Sequence, residues 1–237
     1  MYKKFSKIYD KFMEYCDYNE WARIVEENKQ EFQIEGNDLL DLGCGTGEIL
    51  LYLQQYNCTG IDLSEEMLKI AQKKLKGCNI PLYYGDMKNF DTGKKYDIII
   101  SFFDTITHLT SLEELKENFR CIANSLKKDG IYIFDIVDRN FMELMFPGGV
   151  FVDQRKNLTT IWEHEFEDGI DYIDATYFIK QKNGYFEKIQ ESYEKKLFTA
   201  TEIKKAAEEN GLKISKKYLN NKIAGEREFF VLRLDGQ

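Results

Sequence analysis

Apolar residues in this chain occur either in short continuous runs or at three- and four-residue steps. The runs predict buried strands, and the steps predict amphipathic helices. Residues 111–130 have the clearest helical repeat. Its apolar face consists of Leu112, Leu115, Phe119, Ile122 and Leu126. Ser111 and Glu114 predict a capping box at the start of this helix, and Gly130 predicts its end.

Predicted strands and helices alternate along the first half of the chain. The strands are DLLDLG, CTGID, PLYYGD, YDIIISFF and IYIFDI, and the helices between them include EILLYLQQY and SEEMLKIAQKKL. An aromatic-rich N-terminal segment with helical spacing precedes them. Such alternation is typical of a parallel sheet covered by helices on both faces, so the predicted fold class is α/β.

The pattern changes between residues 148 and 198, where extended segments alternate apolar and polar positions. Asp168-Gly169 and Asn183-Gly184 are turn signals that predict tight hairpins. This segment therefore reads as an inserted small antiparallel β-sheet. The predicted core comprises residues 1–147 and 199–237.

The last segment predicts one more helix and two final strands. Thr199 and Glu202 are placed to cap the helix, and Gly211 is placed to end it. The strands are KISKKYLN and EREFFVLRLD.

Composition narrows the function classes. The 237 residues carry a net charge of −8, which argues against the basic face that nucleic-acid binding needs. Five cysteines without a C-x-x-C pair, and only two histidines, favour neither a disulfide framework nor a metal site. A reducing cytoplasm is the expected location. No apolar segment follows the charged start, and the longest apolar run, 98–103, is too short to span a membrane.

A glycine-rich turn follows the first predicted strand and marks a ligand crevice at the strand ends. Its spacing, Gly43-Cys44-Gly45-Thr46-Gly47, departs from the dinucleotide fingerprint, because Glu48 stands where the last glycine belongs. Asp41 would repel a pyrophosphate but suits an ammonium or a sulfonium. The helix N-terminus after the turn can bind a carboxylate. A zwitterionic amino-acid tail fits both features.

Residues at the next two strand ends complete this ligand. Asp62 can accept hydrogen bonds from both hydroxyls of a ribose. Leu63 and Met67, interpreted as one helical turn apart, can sandwich an adenine. Asp86 can accept from the adenine amino group while the Met87 N–H donates to a ring nitrogen. Together these groups describe S-adenosyl-L-methionine or its product S-adenosyl-L-homocysteine.

The ordered motifs resemble those of class I S-adenosylmethionine-dependent methyltransferases over essentially the whole chain. They are DLGCGTG, GIDLSEEML, YGDM, YDIIISFFDTITHL and LKKDGIYIFDI. The N-terminal YKKFSKIYD and the β insert resemble the bacterial small-molecule branch of that family. The resemblance implies a Rossmann-like seven-stranded sheet whose last strand is antiparallel, with the insert as a cap.

The resemblance also implies where the cofactor binds. It places the cofactor at the carboxyl ends of strands one to four, against Gly43, Cys44, Gly45 and Phe102. Residues 1–30 would form a lid, in which Tyr9 is a better candidate contact than Tyr2.

The methyl acceptor is expected beside the loop after the fourth strand. His108 is the candidate general base, because an unperturbed histidine pKa of about 6.5 suits proton removal at neutral pH. Asp104 would orient an ammonium or hydroxyl, or cap the following turn. His164 is either a wall of the substrate site or a half-buried sheet position.

We therefore expect a cytoplasmic enzyme, monomeric or homodimeric, that methylates a nitrogen or oxygen of a small molecule, with an amine slightly favoured. The insert supports a small acceptor, because a cap encloses the site. Three alternatives remain open: a protein or tRNA methyltransferase, a nicotinamide-dependent oxidoreductase, and a non-catalytic S-adenosylmethionine-binding regulator.

Overall fold

Two β-sheets organise the chain. The computed structural model describes residues 4–137, 139–220, 222 and 227–236. The larger sheet has seven strands in the order β10-β11-β5-β4-β1-β2-β3. Its strands are β1 Asp38–Leu42, β2 Asn57–Asp62, β3 Leu82–Tyr84, β4 Tyr96–Ser101, β5 Leu126–Ile136, β10 Leu212–Asn220 and β11 Arg227–Leu234.

Strand direction confirms the predicted Rossmann-like sheet. Strands β1 to β5 pair in parallel, whereas β11 lies antiparallel to both β5 and β10. The central strands β1 and β4 are almost fully buried, as expected where helices cover both faces. Their carboxyl ends meet at one edge and create the crevice at which a ligand can bind.

Helices flank this sheet and precede it in the chain. They are α1 Ser6–Phe12, α2 Tyr18–Glu31, α3 Glu48–Tyr52, α4 Glu65–Lys74, α5 Leu112–Ser125, α6 Arg139–Met145 and α7 Ala200–Glu209. The capping box predicted for α7 is confirmed, with both the Thr199 side chain and the Glu202 side chain bonded to backbone N–H groups. No helix in the described ranges is both long and apolar enough to cross a membrane.

The predicted end of α5 is wrong. The helix ends at Ser125, and Gly130 lies inside β5, which begins at Leu126. A Cβ on Gly130 would lie 3.0 Å from the carbonyl oxygens of Tyr96 and Asp97. This glycine therefore permits close approach of β4, and does not terminate a helix.

The helix predicted over EILLYLQQY is shorter than expected. α3 ends at Tyr52, because Leu53 and Tyr56 turn back into the core and β2 already begins at Asn57. Ser111 caps α5 as predicted, but the Glu114 side chain accepts from the Thr110 N–H rather than from Ser111.

The smaller sheet confirms an antiparallel insert. Its four strands run in sequence order: β6 Val150–Gln154, β7 Leu158–Glu167, β8 Ile170–Lys180 and β9 Phe186–Lys196. The Asp168-Gly169 hairpin is tight, with φ of 50° and 80°. The second connection is longer than predicted, because residues 181–185 separate β8 from β9 and only Gly184 of the Asn-Gly pair has positive φ. The core and insert boundaries drawn at 147/148 and 198/199 stay a prediction.

α1 packs against the inner face of the insert. Phe5 stacks on Tyr177 of β8 with ring centroids 4.7 Å apart, and Ile8 and Tyr193 belong to the same buried cluster. The N-terminal helix therefore joins the insert to the edge of the larger sheet.

Candidate active site

A cavity of about 300 Å³ opens at the carboxyl ends of β1, β2 and β4. All of the residues proposed from the sequence as cofactor contacts line it: Tyr9, Asp41, Gly43, Cys44, Gly45, Asp62, Leu63, Met67, Asp86, Met87 and Phe102. His108 lines it as well, whereas Asp104 does not. Tyr2 lies outside the described residues.

The glycine turn forms one wall through its backbone. Gly43, Gly45 and Gly47 all have positive φ, which glycine adopts without steric cost. A Cβ on Gly43 would lie 2.3 Å from the Thr105 side chain, so this glycine also lets the turn pack against the loop after β4. At Gly45 the same position has no heavy atom within 4 Å. The turn is thus closed on one side and open toward the cavity.

Asp62 holds the glycine turn in place. Its Oδ2 accepts from the Gly45 N–H at 2.7 Å, and its Oδ1 accepts from the Ser64 N–H at 2.7 Å. Burial raises the pKa of this carboxyl, although the two N–H donors oppose the shift. Each carboxylate oxygen keeps a second lone pair, so the predicted ribose contacts remain chemically available.

Asp41 is the buried acid at the entrance of the turn. Its residue is 2% exposed, and Oδ2 has no hydrogen-bond partner among the described residues. Burial, followed by the charge of Asp62, raises its pKa to about 8. An ammonium group at this oxygen would supply both the missing partner and the missing charge. The residues present therefore fit an amino-acid tail.

The residues predicted to contact an adenine are of mixed character. Leu63 is 45% exposed and precedes the Ser64 cap of α4, whereas Met67 is 2% exposed inside that helix. The interpretation that they lie one helical turn apart is wrong, because α4 begins only at Glu65. Asp86 accepts from the Lys88 N–H at 2.9 Å, which leaves its other oxygen 3.9 Å from the Lys88 ammonium.

The loop after β4, residues 102–108, is held from outside the cavity. Asp104 Oδ1 lies 2.9 Å from the Arg227 guanidinium, which also binds Asp135 at 2.5 Å. Burial acts to raise the pKa of Asp104, but the charges of Arg227 and Lys195, together with the hydrogen bond from Arg227, lower that pKa on balance. The side chain of Asp104 does not cap the following turn, contrary to one of the two roles considered for it. Its ion pair with Arg227 directs it away from the cavity.

The surroundings of His108 make its imidazole a weaker base. Burial, followed by the Lys195 charge, lowers its pKa to about 3. The expectation of a pKa close to 6.5 is therefore not met. Lys195 is part of β9, which packs against the 3₁₀ turn Thr105–His108. The insert thus acts electrostatically on this histidine.

A network of hydrogen bonds and ion pairs connects α1 to the glycine turn beside Tyr9. Burial raises the pKa of the Tyr9 hydroxyl. The Thr46 hydroxyl donates to Asp10 Oδ1 at 2.6 Å. The Lys74 ammonium lies 2.8 Å from Asp10 Oδ2 and 2.5 Å from Glu48. The helix that carries Tyr9 is thereby fixed against the cavity.

Further residues line the cavity that the sequence did not predict as contacts of the cofactor or the acceptor. They include Tyr18, Thr46, Glu48, Phe103, Thr105, Leu109, Thr110 and Glu114. Most flank a motif residue by one to three positions, so the motifs themselves were the available signal. Tyr18 had no such signal, because it reaches the cavity from the start of α2. His164 does not line this cavity.

Comparison with known proteins agrees with this geometry. Residues 39–130 match a family described as a methyltransferase domain. The putative methyltransferase YqeM of Bacillus subtilis is 29% identical over 220 residues, covering 90% of this chain and 87% of that protein. A dTDP-3-amino-3,4,6-trideoxy-alpha-D-glucopyranose N,N-dimethyltransferase of Streptomyces venezuelae is 33% identical over 103 residues, 43% of each chain.

A solved structure matches over nearly the full length. The crystal structure of an S-adenosylmethionine-dependent methyltransferase from Clostridium acetobutylicum superposes with a TM-score of 0.88 at 28% identity, covering 99% of both chains. With the glycine turn, the strand-end acids and the sheet order, this match shows the class of enzyme and its cofactor. The protein is an S-adenosylmethionine-dependent methyltransferase of the class I fold.

Proposed function

We propose that the enzyme methylates a small molecule at an amine nitrogen beside His108. The observation that carries the proposal is the combination of a weakly basic His108 with the Lys195 charge beside it. A hydroxyl acceptor needs a base to take its proton, whereas an amine that arrives neutral attacks without one. Lys195 also disfavours an ammonium at this position, so it favours the neutral, reactive form of the acceptor.

The insert supports a small acceptor. Strand β9 packs against the turn that carries His108, so the acceptor side of the cavity is covered by the chain itself. A folded protein or a structured nucleic acid requires an open approach, and the net charge of −8 gives no general attraction for nucleic acid. The relative from Streptomyces venezuelae named above is an N,N-dimethyltransferase of an amino sugar, which supports an amine as the acceptor.

The chain's own residues account for binding and orientation. When bound, S-adenosylmethionine supplies an electrophilic methyl group on its sulfonium. We propose that Asp41 binds the ammonium of the amino-acid tail and that Asp62 binds the ribose. Leu63, Met67, Asp86 and Met87 would contact the adenine. The glycine turn and Tyr9 would enclose the site, and His108 would hydrogen-bond the acceptor in its neutral form.

Two further expectations remain part of this proposal. All five cysteines are free thiols, which supports a reducing, cytoplasmic location. We also expect no requirement for a metal ion or a nucleic-acid partner, with the enzyme acting as a monomer or homodimer.

The test combines binding with transfer. Isothermal calorimetry should show binding of S-adenosylmethionine and S-adenosylhomocysteine, and none of NAD. Mass spectrometry of matched amine and hydroxyl acceptors, such as an amino sugar nucleotide and its hydroxyl analogue, should then show methylation of the amine alone. Methylation restricted to hydroxyls, or to proteins or tRNA in a lysate, would contradict the proposed acceptor.

A further inference from the structure

A second cavity, of about 240 Å³, lies between α6 and the insert. It shares no lining residue with the cofactor cavity. Its walls are largely apolar and aromatic, from Met142, Phe146, Phe166 and Leu197. The Arg139 guanidinium lies 4.3 Å from the centre of the Phe166 ring, and pairs with Glu143 one turn along α6.

A buried histidine–aspartate pair lies in this apolar wall. His164 Nδ1 is 3.1 and 3.0 Å from the two carboxylate oxygens of Asp171, and their side chains are 7% and 3% exposed. His164 pairs with Ile173 across the β7–β8 ladder, which puts Asp171 on the same face two residues away. Since a carboxylate only accepts hydrogen bonds, the Nδ1 proton points to Asp171.

The other ring nitrogen is left without a partner. His164 Nε2 is buried and has no hydrogen-bond partner among the residues that the structure describes. With Nδ1 donating to Asp171, a neutral imidazole carries its lone pair on Nε2. An unsatisfied buried acceptor is destabilising, so this nitrogen favours a hydrogen-bond donor from a ligand.

The position of the histidine ring is fixed by its neighbours. The ring stacks on Phe146 with centroids 4.2 Å apart and an interplanar angle of 17°. A Cβ on Gly149 would lie 2.7 Å from the His164 carbonyl oxygen, so the turn after α6 packs directly on β7 at this residue. The site is therefore built by close packing, and it presents a buried, unpartnered ring nitrogen in a largely apolar wall.

We propose that this cavity is a second ligand-binding site, which takes a small aromatic molecule whose hydroxyl donates a hydrogen bond to Nε2 of His164. The ring of the ligand packs among Phe146, Phe166 and Leu197. The inference does not rest on the identity of the methyl acceptor, because the two cavities are separate.

The test uses p-cresol and toluene, which differ by the hydroxyl, as probes of the wild-type protein saturated with S-adenosylhomocysteine. The chain has two histidines, so nitrogen-15 NMR can follow each imidazole separately. We expect p-cresol to shift the Nε2 resonance of His164 saturably, with the His108 resonances unchanged. We expect toluene to bind about 3- to 10-fold more weakly, as for one lost neutral hydrogen bond.

A double variant, His164→Phe with Asp171→Leu, removes the pair without leaving either partner buried alone. It should bind the two probes equally, with unchanged affinity for S-adenosylhomocysteine. Tyr172→Phe, on the outer face of the same strand, is the matched control and should keep the preference for p-cresol. Equal affinity of the wild type for both probes, no binding, or a shift at His108 instead of His164 would overturn the proposal, and none of these depends on the variant folding.

Discussion

Asp41 occupies an unusual electrostatic position at the residue scale. It is buried at the end of β1, its pKa is raised to about 8, and Oδ2 has no partner among the described residues. Below that pH the free enzyme holds a proton on Asp41. Pairing with a ligand ammonium would require that proton to leave.

Affinity for S-adenosylhomocysteine should therefore depend on pH. We expect it to rise about tenfold per pH unit up to pH 8 and then to level off, because deprotonation of Asp41 is needed for binding. Calorimetry in two buffers of different ionisation enthalpy would measure the released proton directly. Asp41→Asn should abolish both the pH dependence and the proton release. An affinity in the wild type that is constant from pH 6 to 8 would contradict the assignment of Asp41.

His108 resembles Asp41 in that burial and a neighbouring charge both act against its charged form. Burial and Lys195 lower its pKa to about 3, so the imidazole should stay neutral throughout the range in which the enzyme works. We expect its nitrogen-15 resonances to show no titration between pH 8 and pH 5. A midpoint near pH 6.5 would contradict the structure and restore His108 as a general base.

Replacing His108 separates its roles in binding and turnover. His108→Asn should keep affinity for S-adenosylhomocysteine and lower turnover of an amine acceptor, without changing the shape of the pH–rate profile. Loss of cofactor affinity in a folded His108→Asn protein would show instead that this residue supports the cofactor site.

At the scale of elements, the loop after β4 has a costly backbone conformation. Phe103 and Asp104 have φ of 62° and 58°, a left-handed conformation unfavourable for residues other than glycine. Arg227 on β11 binds Asp104, and Asp135 on β5 accepts the Asp104 N–H at 3.2 Å. Two strands of the sheet thereby hold the loop that places His108.

Arg227→Met should destabilise the enzyme by about 3–5 kcal/mol at pH 8, because it leaves the Asp104 and Asp135 carboxylates buried without their cation. Loss of the cation raises both folded-state pKa values. A carboxyl whose pKa is higher in the folded than in the unfolded protein destabilises the fold as the pH rises above the unfolded value. The loss of stability in Arg227→Met should therefore be smaller at pH 5 than at pH 8.

Urea unfolding at pH 5 and pH 8 would measure this dependence. Arg23→Met removes an exposed arginine that pairs within α2, and is the control, with an expected change below about 1 kcal/mol. A loss for Arg227→Met that is equal at both pH values would show that packing of the arginine, rather than its charge, stabilises the loop.

For the whole molecule, α1 connects the cofactor cavity to the insert. One side of this helix carries Tyr9 and Asp10 toward the glycine turn, while Phe5 just before it stacks on Tyr177 of the insert. A substitution at the contact between α1 and the insert should therefore alter the affinity for the cofactor.

Phe5→Ala should lower stability by about 3 kcal/mol and weaken binding of S-adenosylhomocysteine, because α1 loses its buried anchor on the insert. Thermal unfolding and calorimetry measure the two effects. Phe186→Ala removes an exposed phenylalanine from β9 and should change neither. Unchanged cofactor affinity in Phe5→Ala would mean that the helix does not act as a lid.

Much of the architecture could be predicted because it depends on local pattern. The buried runs of β1 and β4, the capping residues of α7, and the acids at the strand ends are all readable within a few positions. The order of motifs then predicted which strand ends share an edge. Gly130 was a wrong signal for the end of a helix. Glycine is needed at this position because β4, which is distant in sequence, packs closely against it.

The amino-acid sequence by itself determined the sheet, the insert and many of the residues that line the cofactor cavity, since strand and helix periodicity and turn chemistry are local properties. Only the tertiary structure decided how charged side chains pair. Arg227 reaches Asp104 from the last strand, Lys195 lowers the pKa of His108 from the insert, and His164 finds Asp171 across a hairpin. Such pairs depend on strand register and on burial, which exist only after distant segments have packed together.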